Sequence, residues 1–188
     1  MTEITYLNNQ FLIAMPALFD PNFFHTVTYI CQHNDDGALG IVINRPTDMK
    51  LKDIFEQMDI TCDAERIRNA PVFAGGPVQQ ERGFVIHSPC ERQWDSSVSI
   101  ADNIVLTSSR DILEAIAHSE GPENFLVALG YAGWGSGQLE KEIIENSWLN
   151  TPCGEAILFK TPVGQRWSAA ANQVGIDINR LTTVAGHG

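Results

Sequence analysis

Apolar and polar positions change period along this chain, and the changes mark its elements. Thr26 to Gln32 alternates, with Val27, Tyr29 and Cys31 on one face and Thr26, Thr28 and Ile30 on the other. Alternation in β-branched and aromatic residues is a strand pattern. Asn34-Asp35-Asp36-Gly37 then reads as a turn closing on Asp-Gly. Ala38 to Asn44 is apolar almost throughout, which predicts a return strand buried on both faces. Before this hairpin, Phe11 to Met15 is a short apolar run stopped by Pro16, and Asp20-Pro21-Asn22 is a turn cluster.

Helical spacing appears next. Leu51, Ile54, Phe55 and Met58 recur at i, i+3, i+4 and i+7 and predict an amphipathic helix. Residues 59–70 are polar and irregular. Short strands are expected at Pro71 to Ala74, Gly83 to Ser88, Val98 to Ile100 and Asn103 to Leu106, with Gly75-Gly76-Pro77-Val78 as a turn and residues 89–97 as a loop. Ser108 or Ser109 caps a helix reaching about His118, with Ile112, Leu113, Ile116 and Ala117 on its apolar face. Gly121-Pro122 ends it.

Phe125 to Leu129 is a further strand. It enters a stretch with glycines at 130, 133, 135 and 137, which reads as a glycine-rich turn. A helix follows, with Leu139 and Ile143 on one face, extended by Ile144 and Trp148 and stopped by Pro152. Glu155 to Lys160 reads as a strand, and Gln165 to Val174 as a last helix ending at Gly175. Strands and helices do not alternate regularly, which argues against a doubly wound sheet. The class is α+β, a mostly antiparallel, curled sheet with helices outside it. No repeat or linker divides residues 1–188, so a single domain is expected.

Composition narrows the function. The chain is 44% hydrophobic and 19% charged, enough for a substantial core. Twelve basic and 23 acidic residues leave a net charge of -11, which opposes attraction to nucleic acid and to anionic membranes. The window from Arg45 to Arg68 holds five basic residues but six acidic ones. Ala171, Gly175 and Leu181 echo helix-turn-helix spacing, yet Asp177 to Val184 offers only Arg180 as a cation. Four cysteines without a C-x-x-C pair fit a reducing cytoplasm, and no Cys or His spacing suggests zinc. The apolar run from Phe11 to Phe19 is too short to span a membrane. It lacks the basic flank of a signal peptide.

Candidate chemistry is sparse. The glycine stretch lacks the lysine of a Walker loop, and Glu140 behind it would repel a phosphate. Gly135-Ser136-Gly137 is not a nucleophile elbow. His33, His87, Cys31, Cys90 and Glu140 are the enzyme candidates. Cys31 belongs to a core face, and His87 has no Asp or Ser at diagnostic spacing beside it. Three loops lie at predicted strand ends, where a pocket could form. They supply Asn44, Arg45, Gly75, Gly76, Gly133, Trp134, Gly137, Gln138 and Glu140, with His87 added as a further candidate. In one reading Arg45 meets an anionic group and Trp134 stacks on a ligand. In the other these loops pack on one another and Arg45 pairs with Glu140. No cofactor is expected.

The blocks FLIAMPALFDPNF (11–23), VTYICQHNDDGALGIVINRP (27–46), AGGPV (74–78), GFVIHS (83–88), LTSSRDIL (106–113) and GYAGWGSGQLEKEI (130–143) resemble the AlgH/YqgE family of bacterial proteins, in order and across most of the chain. The ending Gly186-His187-Gly188 departs from a Gly-His-Ala ending frequent in that family. The resemblance implies a bifurcated sheet rolled into a pseudo-barrel. It also implies a transcriptional regulator of alginate synthesis, and it brings no catalytic residues or cofactor with it. The combined expectation is a non-enzymatic cytoplasmic regulatory or binding protein that acts indirectly, through a protein or small-molecule partner. The alternative is a small-molecule-binding protein or an enzyme using a pocket near Arg45 and Trp134.

Overall fold

The computed structural model describes residues 5–18, 20–178 and 180. In chain order the elements are β1 (Gln10–Ala14), β2 (Val27–Asn34), β3 (Gly37–Val42), β4 (Pro46–Lys50), α1 (Leu51–Gln57), α2 (Glu65–Arg68), β5 (Pro71–Ala74), β6 (Val78–His87), β7 (Ser97–Ala101) and β8 (Ile104–Thr107). Then follow α3 (Arg110–Ala117), β9 (Phe125–Gly135), α4 (Gln138–Ile144), β10 (Trp148–Pro152), α5 (Glu155–Phe159) and, after a 3-10 turn, α6 (Arg166–Gln173). The class is α+β, with a curled, almost wholly antiparallel sheet flanked by helices.

The path through the sheet is β10-β1-β2-β3-β9-β6-β8-β7, with β4 and β5 off this line. It forks at β9. The first half of β9 pairs with β5 in parallel, Val72 to Ala74 against Val127 to Leu129. The second half pairs with β3, Gly37 to Gly40 against Gly135 to Ala132. Between them the chain leaving β5 crosses β9 in contact. A Cβ on Gly76 would overlap the Tyr131 carbonyl, and one on Gly130 would lie 2.6 Å from the Gly76 oxygen. Gly130 and Gly76 also have φ of 79° and 159°, at or within the region that favours glycine. The fork therefore needs glycine on both crossing strands.

Both faces of the sheet are covered. Phe11, Tyr29, Ile41, Phe84 and Leu126 face α5 and α6 through Ile157, Leu158, Ala170 and Ala171. Val72, Val85 and Val127 meet Leu51, Phe55, Ile112 and Ile116 of α1 and α3. Leu12, Ile30, Trp134 and Trp148 pack with Leu139 of α4. Two-sided burial is why β3 and β9 read as apolar runs rather than alternations. Each fully buried Leu or Ile contributes about 1.5–3 kcal/mol.

The β2–β3 hairpin forms as expected, with Asn34 opposite Gly37 across Asp35-Asp36. Helices appear at Leu51–Gln57 and Arg110–Ala117, the latter with Ser109 at its N-cap position. Four expectations are corrected. The glycine stretch is mostly strand, because β9 runs on to Gly135, and only Gly137, φ 74°, turns the chain into α4. That helix ends at Ile144, so Trp148 opens β10 opposite Ala14. Glu155–Phe159 is helix, closed by Leu158 N–H to Gly154 and Lys160 N–H to Ala156, as suits Glu, Ala and Leu. Finally, residues 59–70, read as irregular, contain α2, while Pro46–Lys50, for which the sequence carried no expectation, is a short strand on β5. The helix-turn-helix echo is only partly visible: Leu181 and the chain end lie outside the described residues.

Candidate functional site

Asn44 and Arg45 hold the turn ahead of β2. The Asn44 amide accepts from Val27 N–H at 2.9 Å and donates to the His25 carbonyl at 3.0 Å. Arg45 donates to the carbonyls of Asn22 at 2.6 Å and Phe24 at 3.0 Å. Burial lowers the Arg45 pKa, and the charge of Asp20 opposes that shift. Arg45 therefore does not pair with Glu140. Together with Gly76, Asn22 and Gln80 it lines a hollow of about 230 Å³. Gly75 donates to the Leu129 carbonyl at the crossing.

Trp134 lines neither this hollow nor the groove described below. It is buried, stacked 6.0 Å from Phe23 and edge-on to Trp148. The indole N–H groups of Trp134 and Trp148 both donate to Glu142, at 3.3 and 3.1 Å. Gln138 staples the start of α4, accepting from Gly135 N–H at 2.9 Å and donating to Glu142 at 3.0 Å. Gly133 sits in register with Leu39.

His87 is buried between strands. Its Nδ1–H donates to the Ser88 carbonyl at 2.8 Å, so Nε2 accepts from the Thr107 hydroxyl at 2.7 Å, and Thr107 in turn accepts from Ser97 at 2.7 Å. Burial lowers its pKa, partly offset by the Ser88 bond.

The remaining candidates, Gly137 and Glu140, line a groove of about 810 Å³ with Leu7, His33, Asp35, Ser136, Ile143 and Ile144. His33 is only 2% exposed. Its Nδ1 accepts from Leu7 N–H at 2.9 Å, so Nε2 carries the ring proton and donates to the Glu140 carboxylate. A proton on Nδ1 would face the Leu7 N–H. The geometry thus holds a neutral ring behind a carboxylate that is 34% exposed. At the hairpin turn, the Tyr6 hydroxyl donates to Asp35, and Ser136 donates to the Asp35 carbonyl at 2.6 Å. The Tyr6 pKa is raised, first by that bond to Asp35, then by desolvation and the charges of Asp35, Glu140 and Asp36. Among the described residues, the His33 ring is hydrogen-bonded to Leu7 and Glu140 and to no hydroxyl or thiol. The groove can orient a cation and cover an apolar group, but it does not activate a nucleophile in the manner of a Ser–His or Cys–His pair. No group of three His, Cys, Asp or Glu among the described residues is placed to hold a metal.

The AlgH-like family profile matches residues 11–179. The chain belongs to the AlgH-like family. It is 56% identical over 187 residues to a UPF0301 protein of Methylococcus capsulatus, covering 100% of this chain and 99% of the relative. It is 58% identical to a UPF0301 protein of Thioalkalivibrio sulfidiphilus, covering 100% of each. The solution structure of AlgH from Pseudomonas aeruginosa superposes with a TM-score of 0.79 at 44% identity, covering 100% of this chain and 99% of that one. A Corynebacterium diphtheriae protein shares the fold, with a TM-score of 0.74 at 17% identity, covering 97% of this chain and 94% of that one. In this AlgH-like chain the motif blocks meet in pairs. NRP grips the DPNF turn, AGGPV crosses GYAG, and the His33 block meets the Glu140 block. Most of the resemblance therefore falls on residues that build the frame. Sequence reasoning names His33 only as an enzyme candidate, and gives no role to Asp35 in the groove or to Tyr6 bound to it. The usable signal was a histidine two positions ahead of an acidic hairpin turn.

Proposed function

We propose that this AlgH-like protein is a cytoplasmic binding protein that exerts a regulatory effect through a bound partner rather than by turnover. Its working site is the groove between the β2–β3 hairpin and α4. One observation carries the reading: a buried, neutral His33 holds the Glu140 carboxylate at the edge of an 810 Å³ groove. A buried side chain committed to positioning an acidic group beside an open groove suits recognition. Asn44, Arg45, Gly75, Gly76, Gln138 and His87 are assigned to the frame. The net charge of -11 argues against the DNA backbone as direct partner. No helix among the described residues is long and apolar enough to cross a membrane. The regulatory label follows the AlgH kinship.

Native mass spectrometry of the protein purified from its host tests the reading. A reproducible bound mass or a co-purifying protein, diminished in Glu140→Gln, is the result anticipated. Protein that emerges with neither, or that is retained on DNA in a salt-dependent way, would overturn it.

A further inference from the structure

We infer that the groove takes a small amphiphilic amine, an ammonium head on an apolar chain. This deepens, and rests on, the assignment of that groove as the working site. The apolar half of the argument is the wall. Leu7 and Ile143 line the groove, and Ile144 beside them is 80% exposed. A large aliphatic side chain that exposed, at the edge of a concave surface, is apolar area left for a ligand to cover.

The charged half adjoins it, since Glu140 sits one helical turn before Ile143 and Ile144 on α4. Glu140 and Asp35 both line the groove, and each is bound by a neutral donor, His33 and Tyr6 respectively. Among the described residues, the second oxygen of each carboxylate has no hydrogen-bond partner. No Lys or Arg is among the lining residues. Lys141, the cation on α4, points to Glu145 at 3.9 Å. The negative field is therefore uncompensated by any cation lining the groove. Ser136 and Asn150 add polar rim groups, but Ser136 is engaged with Asp35 and Asn150 with Gln10. A carboxylate or phosphate ligand would meet repulsion here. A fully polar cation would leave Ile143 and Ile144 uncovered. An alkylammonium ion satisfies both halves, since its N–H donors reach free carboxylate oxygens while its chain lies on the isoleucines. The groove volume is of the size that encloses small molecules.

The test is an amide NMR titration of the full chain near neutral pH with n-hexylammonium chloride, using n-hexanol and n-hexanoate as controls. Hexylammonium should perturb amides of Gly137 to Ile144 and of the Asp35 turn, binding about tenfold more tightly than hexanol, with hexanoate weaker still. Glu140→Gln and Asp35→Asn should each erase most of that tenfold preference. Ile144→Glu, at an exposed position that folding does not need, should weaken the uncharged hexanol. Equal binding of hexanol and hexylammonium, or no perturbation of the groove, overturns the inference. Either result leaves the binding-protein reading to the native mass spectrum. Conversely, a host preparation free of any bound species alongside normal hexylammonium binding would fault that reading and not the chemistry of the groove. Thermal melts of each variant separate lost binding from lost folding.

Discussion

The His33 ring donates its Nε2 proton to the Glu140 carboxylate across 107 residues of sequence, while its other nitrogen accepts from the Leu7 backbone. One buried imidazole thus ties together the segment before β1, the hairpin strand β2 and the first turn of α4. Removing it leaves an N–H and a carboxylate oxygen without their partner. His33→Ala should lower stability by about 2–4 kcal/mol, counting the unmet Leu7 donor and the lost ring packing. Glu140→Gln should cost under about 1.5 kcal/mol, because its amide oxygen can still accept from His33. Chemical denaturation of the pair checks this, and equal losses would contradict the orientation assigned to the ring.

The crossing at the fork predicts a contrast between glycines. Gly76→Ala places a Cβ in the Tyr131 backbone, so β9 or the chain crossing it must move. The loss should be about 3 kcal/mol or more. Gly137→Ala has open space around it and is opposed only by its φ of 74°, so about 1–2 kcal/mol is anticipated. Urea midpoints with an unchanged slope would report these as losses of native stability.

Arg45→Ala removes two donors from the carbonyls of Asn22 and Phe24. Because the side chain is partly exposed, the loss should be modest, about 1–2 kcal/mol. Faster amide exchange at residues 22–27 should accompany it. Lys at this position should not restore protection, since a single ammonium cannot reproduce the planar two-pronged contact. Full rescue by Lys would refute the clamp.

Acid should weaken the fold partly through His87, with His25 adding a smaller share. Burial lowers both pKa values below the ordinary value near 6.5, so the unfolded chain binds protons that the folded chain refuses. Their contribution to stability is fully present above about 6.5. It is lost as pH falls from there through the lowered folded values. His87→Gln should flatten that part of the stability profile in melting experiments between neutral and mildly acidic pH. An unchanged slope would assign the loss to other groups.

Thiol reactivity should separate the four cysteines. Cys90 is exposed, whereas Cys31 and Cys62 are buried and Cys153 is partly covered. Burial raises the Cys31 pKa and pushes that of Cys153 up to about 12, so neither supplies thiolate at neutral pH. Titration with a thiol reagent should show one fast-reacting group in the native chain and four after denaturation. Two or more fast groups in the native state would contradict the burial.

Much of the architecture is legible in the sequence. The β2–β3 hairpin, the helices over 51–57 and 110–117, and the α+β class rest on periodicity and turn chemistry that act within about ten residues. Kinship was readable because its motif blocks are contiguous. Three features needed the folded chain. Glycine permits a turn and an extended strand equally, so the stretch from Gly130 to Gly135 became strand only because β3 lay alongside to pair with it. Trp148 continued the helical spacing of α4, but the positive φ of Asn146, 60°, ends that run and β1 supplies a free edge for β10. Asn44, Arg45 and Trp134 shared a sequence signature of special residues, yet their side chains went to separate tasks. The groove joins residues from the chain before β1, the first hairpin and α4, and no local pattern encodes a contact between His33 and Glu140. Local signals specify the elements because backbone geometry repeats over a few residues. The site depends on which elements the sheet and its core bring side by side.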